Sequence, residues 1–195
     1  MPGALAREPM SNRADRALIE ACMRNDRRAY QRLYDILRVR LMNVCLRYAS
    51  DEEEARSYFV QGFMKIANSM AGFDFNVYFE TWATRVMINS ILDELRKRKR
   101  YRQMIPGVDV EDVPTAAVSL NDYENKSNAD DVLALVKRLP DATRDVFLLY
   151  AVDGYTHKEI AAALRVSEGT SKWHVCEARK RLKVMIAENE KKSTR

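Results

Sequence analysis

Apolar side chains recur every three or four residues from Tyr30 onward: Tyr30, Leu33, Tyr34, Leu37, Leu41, Val44, Cys45 and Tyr48 fall on one helical stripe. Ahead of them, residues 1–14 carry Pro, Gly, Ser and Asn without a period and read as a frayed tail, and Asp15 suits the cap of a first helix. Asp51 opens another helix, with Glu52, Glu53 and Glu54 in the first turn, where carboxylates complement the helix dipole. Its apolar members are Ala55, Tyr58, Phe59, Phe63, Ile66 and Ala67. Gly72, followed by Asp74 and Asn76, breaks that helix into a short loop rich in aromatic residues. A further helix from about Tyr78 carries Trp82, Val86, Ile91, Leu92 and Leu95, and ends in a run, residues 96–102, in which Tyr101 alone is uncharged. A block of like charge that dense faces solvent or a ligand.

The pattern changes at residues 104–128. Pro106, Gly107, Pro114, Ser119, Asn121 and Asn125 are breakers, and Asp109, Glu111, Asp112, Asp122 and Glu124 make the stretch acidic. It reads as a linker between two modules, since long structureless loops inside one compact domain are uncommon; one domain with a long loop is the alternative. Helical spacing resumes near Ala129. One helix ends at Leu139-Pro140, a second spans 142–152 and stops at Asp153-Gly154, a third spans 156–164, and a fourth runs from Glu168 to about Asn189. No alternating strand pattern is present, so the expected fold is all-α: two small helical domains, 15–103 and 129–190, joined by an acidic flexible linker, with a basic tail at 191–195.

Composition narrows the chemistry. Among 195 residues there are six Gly and five Pro, which suits helices, and the net charge of +5 makes nucleic acid or an acidic surface a plausible partner. Three isolated cysteines, Cys22, Cys45 and Cys176, argue against a disulfide framework and fit a reducing compartment. With two histidines, a structural zinc site is not expected, and no cofactor or other metal is implied. No apolar run reaches membrane-spanning length, so a cytoplasmic location is expected. Catalysis is not expected either: Glu52, Glu53 and Glu54 are consecutive and point apart around a helix, and no Ser-His-Asp set or Gly-rich phosphate loop occurs.

Residues 154–183 carry the sharpest local signal. Thr156 with Glu159 has the spacing of a capping box, Ala161 and Ala162 are small enough for close helix approach, Leu164 and Val166 can plug a corner, and Ser167 can cap the next helix. That is a helix-turn-helix, whose second helix can enter a major groove. At 100° per residue, Ser171, Val175, Ala178, Leu182 and Met185 form its core face, while Thr170, Trp173, Cys176, Glu177 and Lys180 lie opposite. Lys172, Arg179 and Arg181 flank them and suit phosphates. The candidate duplex-binding set is Thr170, Lys172, Trp173, His174, Glu177, Arg179 and Lys180. The alternative for Trp173 is an indole tucked onto a neighbouring helix.

The ordered elements Leu-Pro at 139–140, Gly-Tyr-x-x-Lys-Glu-Ile-Ala at 154–161, Ser-Glu-Gly-Thr at 167–170 and Ala-Arg-x-x-Leu at 178–182 resemble domain four of the extracytoplasmic-function sigma factors. The segment FETWATRVMINSILDELRKRKR is similar to domain two of the same family. The resemblance covers about residues 15–190 apart from the linker. It implies that domain two binds core RNA polymerase and melts the minus-ten promoter element, and that domain four reads the minus-thirty-five element as duplex. The resemblance places Phe73, Asp74, Phe75 and Asn76 where the family captures a flipped base, and Trp82, Arg85 and Asn89 along the minus-ten strand. The basic run, with Arg96, Arg98 and Arg100, then suits the adjacent phosphates. Stacking an extruded base on an aromatic wall is worth about 1–3 kcal/mol. The alternative for Trp82 and Phe79 is core packing. The resemblance also assigns polymerase contact to Tyr58, Gln61, Phe63 and Lys65.

Two positions depart from the family pattern. Val60-Gln61 stands before Gly62-Phe63 where a Gln-Glu pair is usual, and Ser171 occupies a place usually held by a branched apolar residue, which is expected to loosen packing slightly. The implied partners are core RNA polymerase, promoter DNA and an anti-sigma factor, without membrane insertion, for a chain that is a monomer when free. The rival function is a helix-turn-helix regulator that does not bind core polymerase.

Overall fold

The computed structural model describes residues 14–104 and 128–193. The tail expected at 1–14, apart from Ala14, and nearly all of the acidic linker expected at 104–128 lie outside the described residues. Among the described residues every regular element is helical: α1 (Arg16–Met23), α2 (Arg27–Tyr48), α3 (Glu52–Ser69), a 3-10 turn (Met70–Gly72), α4 (Phe79–Met104), α5 (Asn128–Val136), α6 (Asp141–Phe147) continuing as a π-turn (Leu148–Val152), α7 (His157–Leu164) and α8 (Glu168–Ser193).

Local chemistry sets the helix starts. Asp15, Asp26 and Asp51 each accept hydrogen bonds from backbone N–H groups of the first turn of α1, α2 and α3, which satisfies donors that have no partner inside the helix. Helices α2, α3 and α4 pack against one another, with α1 lying on α2. The stripe of α2 supplies Leu33, Leu37, Leu41, Val44, Cys45 and Tyr48 to that core, and α4 supplies Phe79, Ala83, Met87, Ile88, Ile91, Leu92 and Leu95.

Gly62 of α3 lies against Met87 of α4. A Cβ there would collide with the Met87 sulfur, and Met87 is itself enclosed, its sulfur 3.6 Å from that of Cys45. A side chain at 62 has no vacant space to take. Gly62→Leu is expected to lower the unfolding free energy by about 2 kcal/mol through overpacking, read as a lower midpoint in urea denaturation.

The C-terminal helices form a second cluster. Helix α8 packs on α5, α6 and α7, burying Val175, Ala178 and Leu182 together with Leu135, Leu139, Val146, Leu148, Leu149 and Ile160. Helix α6 also buries Arg144 and Asp145. Burial is the main force pushing the Asp145 carboxyl up to about 6, opposed by Arg144. An unfolded aspartate titrates near ~3.9. In the window between those values the fold holds a proton that the unfolded chain has released. Stability from this group is therefore full below about pH 4 and falls by roughly 3 kcal/mol as pH rises through 6. Asp145→Asn should remove that slope, measured by denaturation at pH 4.5 and 7.5.

The two clusters touch. Helix α4 meets α7, and the end of α2 meets the turn before α7, where Arg47 and Tyr48 both donate to Asp153.

Candidate nucleic-acid interface

The turn between α7 and α8 is built as the sequence predicts. The Thr156 hydroxyl accepts from the Glu159 N–H, and the Glu159 carboxylate accepts from the Thr156 N–H in return. The Thr156 N–H and the Thr156 hydroxyl, both donating to the Glu159 carboxylate, are the leading reason that carboxyl is held below its ordinary range. Arg165 closes α7 in the left-handed conformation, φ 56°, and the Val166 N–H reaches back to the Ala161 carbonyl. Ser167 then caps α8 by accepting from the Thr170 N–H at 2.9 Å. One detail differs: Ala162 is exposed, and Ala161 and Ala163 are the half-buried small residues of α7.

Ser171 does more than leave room. Its hydroxyl lies 3.0 Å from Nδ1 of His157, whose ring stacks on Tyr150 at 4.4 Å between centroids. This polar bridge ties α8 to the start of α7 and to the π-turn, so the buried hydroxyl is satisfied where an apolar residue would have packed.

With its base fixed in this way, α8 presents a defined outer face. Trp173 is 59% exposed, and Lys172, Cys176, Arg179 and Lys180 are exposed around it. Thr170 is half-buried and bonded to Ser167, and Glu177 pairs with Arg181. His174 turns away from this face: its Nδ1 lies 3.0 Å from the Thr143 hydroxyl on α6. That contact ties α8 to α6.

The second surface lies at the start of α4. Of the loop residues expected to face a base, Phe73 is buried, packed against Phe75, Phe79 and Trp82 at 5.0–5.2 Å between centroids. Its ring is the floor of the aromatic group and is not open to stacking in this conformation. Phe79 is likewise core. Trp82 is half-buried beside it, so it combines both readings of an aromatic residue at helical spacing. Phe75 is partly exposed, with the Arg16 guanidinium over its ring at 4.6 Å. Asp74 and Asn76 are exposed, and Asp74 accepts the Asn76 N–H, which fixes the turn. Tyr78, 68% exposed, and Val77 project beside them; neither stands out in the sequence, because loop residues carry no periodic signal. Trp82, Arg85 and Asn89, at steps of three and four, share one side of α4.

The basic run is more neutralised than its composition implies. Arg96 pairs with Asp93, which also holds Lys65 at 2.7 Å. Lys97 pairs with Glu94. Arg98 reaches across to Glu54 on α3 at 2.8 Å. Arg96 and Arg98 are thus partly engaged inside the protein, which corrects the expectation of an open phosphate-facing block; the side chain of Arg100 lies outside the described residues.

A third surface runs along α2 and α3. Tyr34, Phe59 and Phe63 form a ring cluster at 5.6–5.8 Å between centroids, and Val60 and Met64 are 61% and 57% exposed beside it. Phe63 and Gln61 fall within this surface. Tyr58 does not: it is buried, and its hydroxyl donates to Glu54. It holds α3 in place and is not available for contact. Lys65, exposed but paired with Asp93, lies at the edge. Among the described residues no group of His, Cys, Asp and Glu is arranged to hold a metal ion, and no helix is long and apolar enough to cross a membrane.

The fold thus pairs a capped helix-turn-helix in the C-terminal cluster with a surface of aromatic and polar side chains at the start of α4. Residues 33–101 match the family described as Sigma-70 region 2, and residues 129–182 match Sigma-70 region 4. The chain is 26% identical over 179 residues to the RNA polymerase sigma-H factor of Pseudomonas aeruginosa, covering 87% of this chain and 92% of that relative. It is 24% identical over 185 residues to the ECF RNA polymerase sigma factor SigW of Bacillus subtilis, covering 86% and 94%. The fold is shared with the sigma factor RpoE from Bartonella quintana, crystallised with the anti-sigma factor NepR, at TM-score 0.54 and 22% identity over 81% of this chain and 96% of that one. The chain belongs to the extracytoplasmic-function sigma factors.

Proposed function

We propose that this protein is an alternative sigma factor that carries core RNA polymerase to a promoter in the cytoplasm, α8 reading the upstream element as duplex and the α4 surface taking the melted downstream strand. The observation that carries this reading is the pairing, in one chain, of the exposed Trp173 face on a rigidly capped helix with the Trp82–Arg85–Asn89 side of α4. The first suits a groove. The second offers an aromatic edge with polar groups, the requirement of an unstacked base. The chain supplies recognition and strand separation, and the polymerase supplies the chemistry, so the protein itself is not an enzyme. Its expected partners are core polymerase, promoter DNA and an anti-sigma factor, the last by analogy with the relative crystallised in such a complex.

Co-purification tests the reading against that of a regulator independent of polymerase. Mixed with bacterial core enzyme and passed over a sizing column, the protein is expected to elute with core at equal stoichiometry. Elution as a separate peak at micromolar concentrations of both would favour the regulator.

A further inference from the structure

The N-terminal half of α2 concentrates positive charge outside the surfaces described above. Residues 24–40 contain six arginines, Arg24, Arg27, Arg28, Arg32, Arg38 and Arg40, against two aspartates, Asp26 and Asp35. All six arginines are exposed. Both carboxylates are engaged elsewhere: Asp26 accepts the Arg28 and Ala29 N–H groups as the cap of α2, and Asp35 accepts from the Gln31 side chain at 3.4 Å. Among the described residues none of the six arginines has an ion-pair partner. The neighbouring helices treat their exposed cations differently: Arg56 pairs with Glu52, Lys65 with Asp93 and Lys97 with Glu94.

The position of this charge does not help the fold. Arg27 and Arg28 stand in the first turn of α2, which holds no acidic residue. The helix dipole favours anions at that end and disfavours cations. The positive end of the helix and the guanidinium groups therefore add up to one field that attracts an external anion. At 100° per residue, Arg28 and Arg32 lie opposite the buried Leu33, Leu37 and Leu41, and Arg38 flanks them. Arg28 to Arg38 covers about 15 Å of helix, a length over which one strand of duplex DNA carries about four phosphates. Guanidinium forks match phosphate oxygens. The side chains between the arginines on this face, Gln31, Asp35 and Val39, offer no ring on which an unstacked base could rest. The face therefore suits a phosphate backbone and not an extruded base.

We propose that the outer face of α2 is a further DNA-binding surface, on which Arg28, Arg32 and Arg38 contact the phosphates of duplex DNA without reading its sequence. It is separate from the α4 and α8 faces. It adds a hold on DNA of any sequence, and its field speeds encounter with the duplex.

The test uses the full chain and a labelled duplex of arbitrary sequence, with fluorescence anisotropy followed from about 50 to about 200 mM salt. Removing three phosphate contacts at ~0.9 ion each lowers the slope of log affinity against log salt by about 2.7. Over that range the triple variant Arg28→Gln/Arg32→Gln/Arg38→Gln is expected to lose about fortyfold less affinity than wild type. Glutamine keeps a helix propensity close to that of arginine, and far-UV circular dichroism checks that helicity is unchanged. The corresponding triple substitution by Lys keeps the charges and should keep most of the slope, a rescue that a structural role of the guanidinium groups would not give. Arg56→Gln, which removes a paired cation, should leave the slope as it is. The same drop is expected when the triple Gln substitution is made in the Trp173→Ala protein, so the result stands apart from the reading of α8. A slope unchanged by the triple Gln substitution, or lowered equally by the triple Lys substitution, would overturn the proposal. Loss of association with core polymerase at an unchanged slope would also overturn it and assign the face to an acidic protein surface.

Discussion

A protein carrying Val60→Asp and Met64→Asp together is expected to lose association with core RNA polymerase by at least about a hundredfold while keeping its fold. Both side chains are more than half exposed on α3, one turn apart, and neither belongs to the buried stripe of Ala55, Tyr58, Phe59, Gly62 and Ile66. Exposed apolar groups gathered beside a ring cluster form the kind of contiguous apolar patch that suits a docking partner. Central contacts of such a surface contribute about 2–4 kcal/mol each when removed, and a buried unpaired carboxylate adds its desolvation cost. The check is a binding titration with labelled core enzyme, with far-UV circular dichroism to confirm unchanged helicity. Affinity within threefold of wild type would move the docking surface elsewhere.

Trp173→Ala is the second large effect. The indole stands at the centre of the exposed face of α8 with Lys172, Arg179 and Lys180 around it, and its only ring contact among the described residues is His174 at 4.9 Å between centroids. Its removal leaves the core face of Ser171, Val175, Ala178 and Leu182 intact, so thermal stability should hold while binding to the upstream duplex falls by roughly ten- to a hundredfold, about 1–3 kcal/mol. Lys172→Ala should act differently: taking one cation off the phosphate backbone reduces the salt dependence of binding by about one ion and weakens binding evenly over sequences. Equal salt slopes for wild type and Lys172→Ala would exclude a phosphate contact by that lysine.

What is legible in the sequence follows from the range of the interactions involved. The caps at Asp15, Asp51, Thr156 and Ser167 are contacts between residues three positions apart, and the structure places each as spacing predicts. The core face of α8 is legible because its period is that of the helix. The choice between Phe73 and Phe75 is not: both are aromatic residues in one short loop, and the packing of Phe79 and Trp82 decides which ring goes inward. Nor can the charge of the basic run reveal that Arg98 is held by Glu54, 44 positions earlier. The links from Arg47 and Tyr48 to Asp153 span more than a hundred residues and leave no periodic trace. Ser171 reads in sequence as a packing defect because its partner, His157, lies on another helix. The apolar patch of Tyr34, Val60 and Met64 shows the limit most clearly, since helical spacing distinguishes faces but does not say which face another helix covers.

The most direct measurement is promoter selection from a random duplex library with holoenzyme reconstituted from core polymerase and this protein, scored by transcripts produced. Start sites are expected downstream of two short conserved elements at a fixed separation, the downstream one sensitive to Asn89→Ala and the upstream one to Trp173→Ala. Transcripts no more frequent than with core alone, or selection of a single element bound equally well without polymerase, would contradict it.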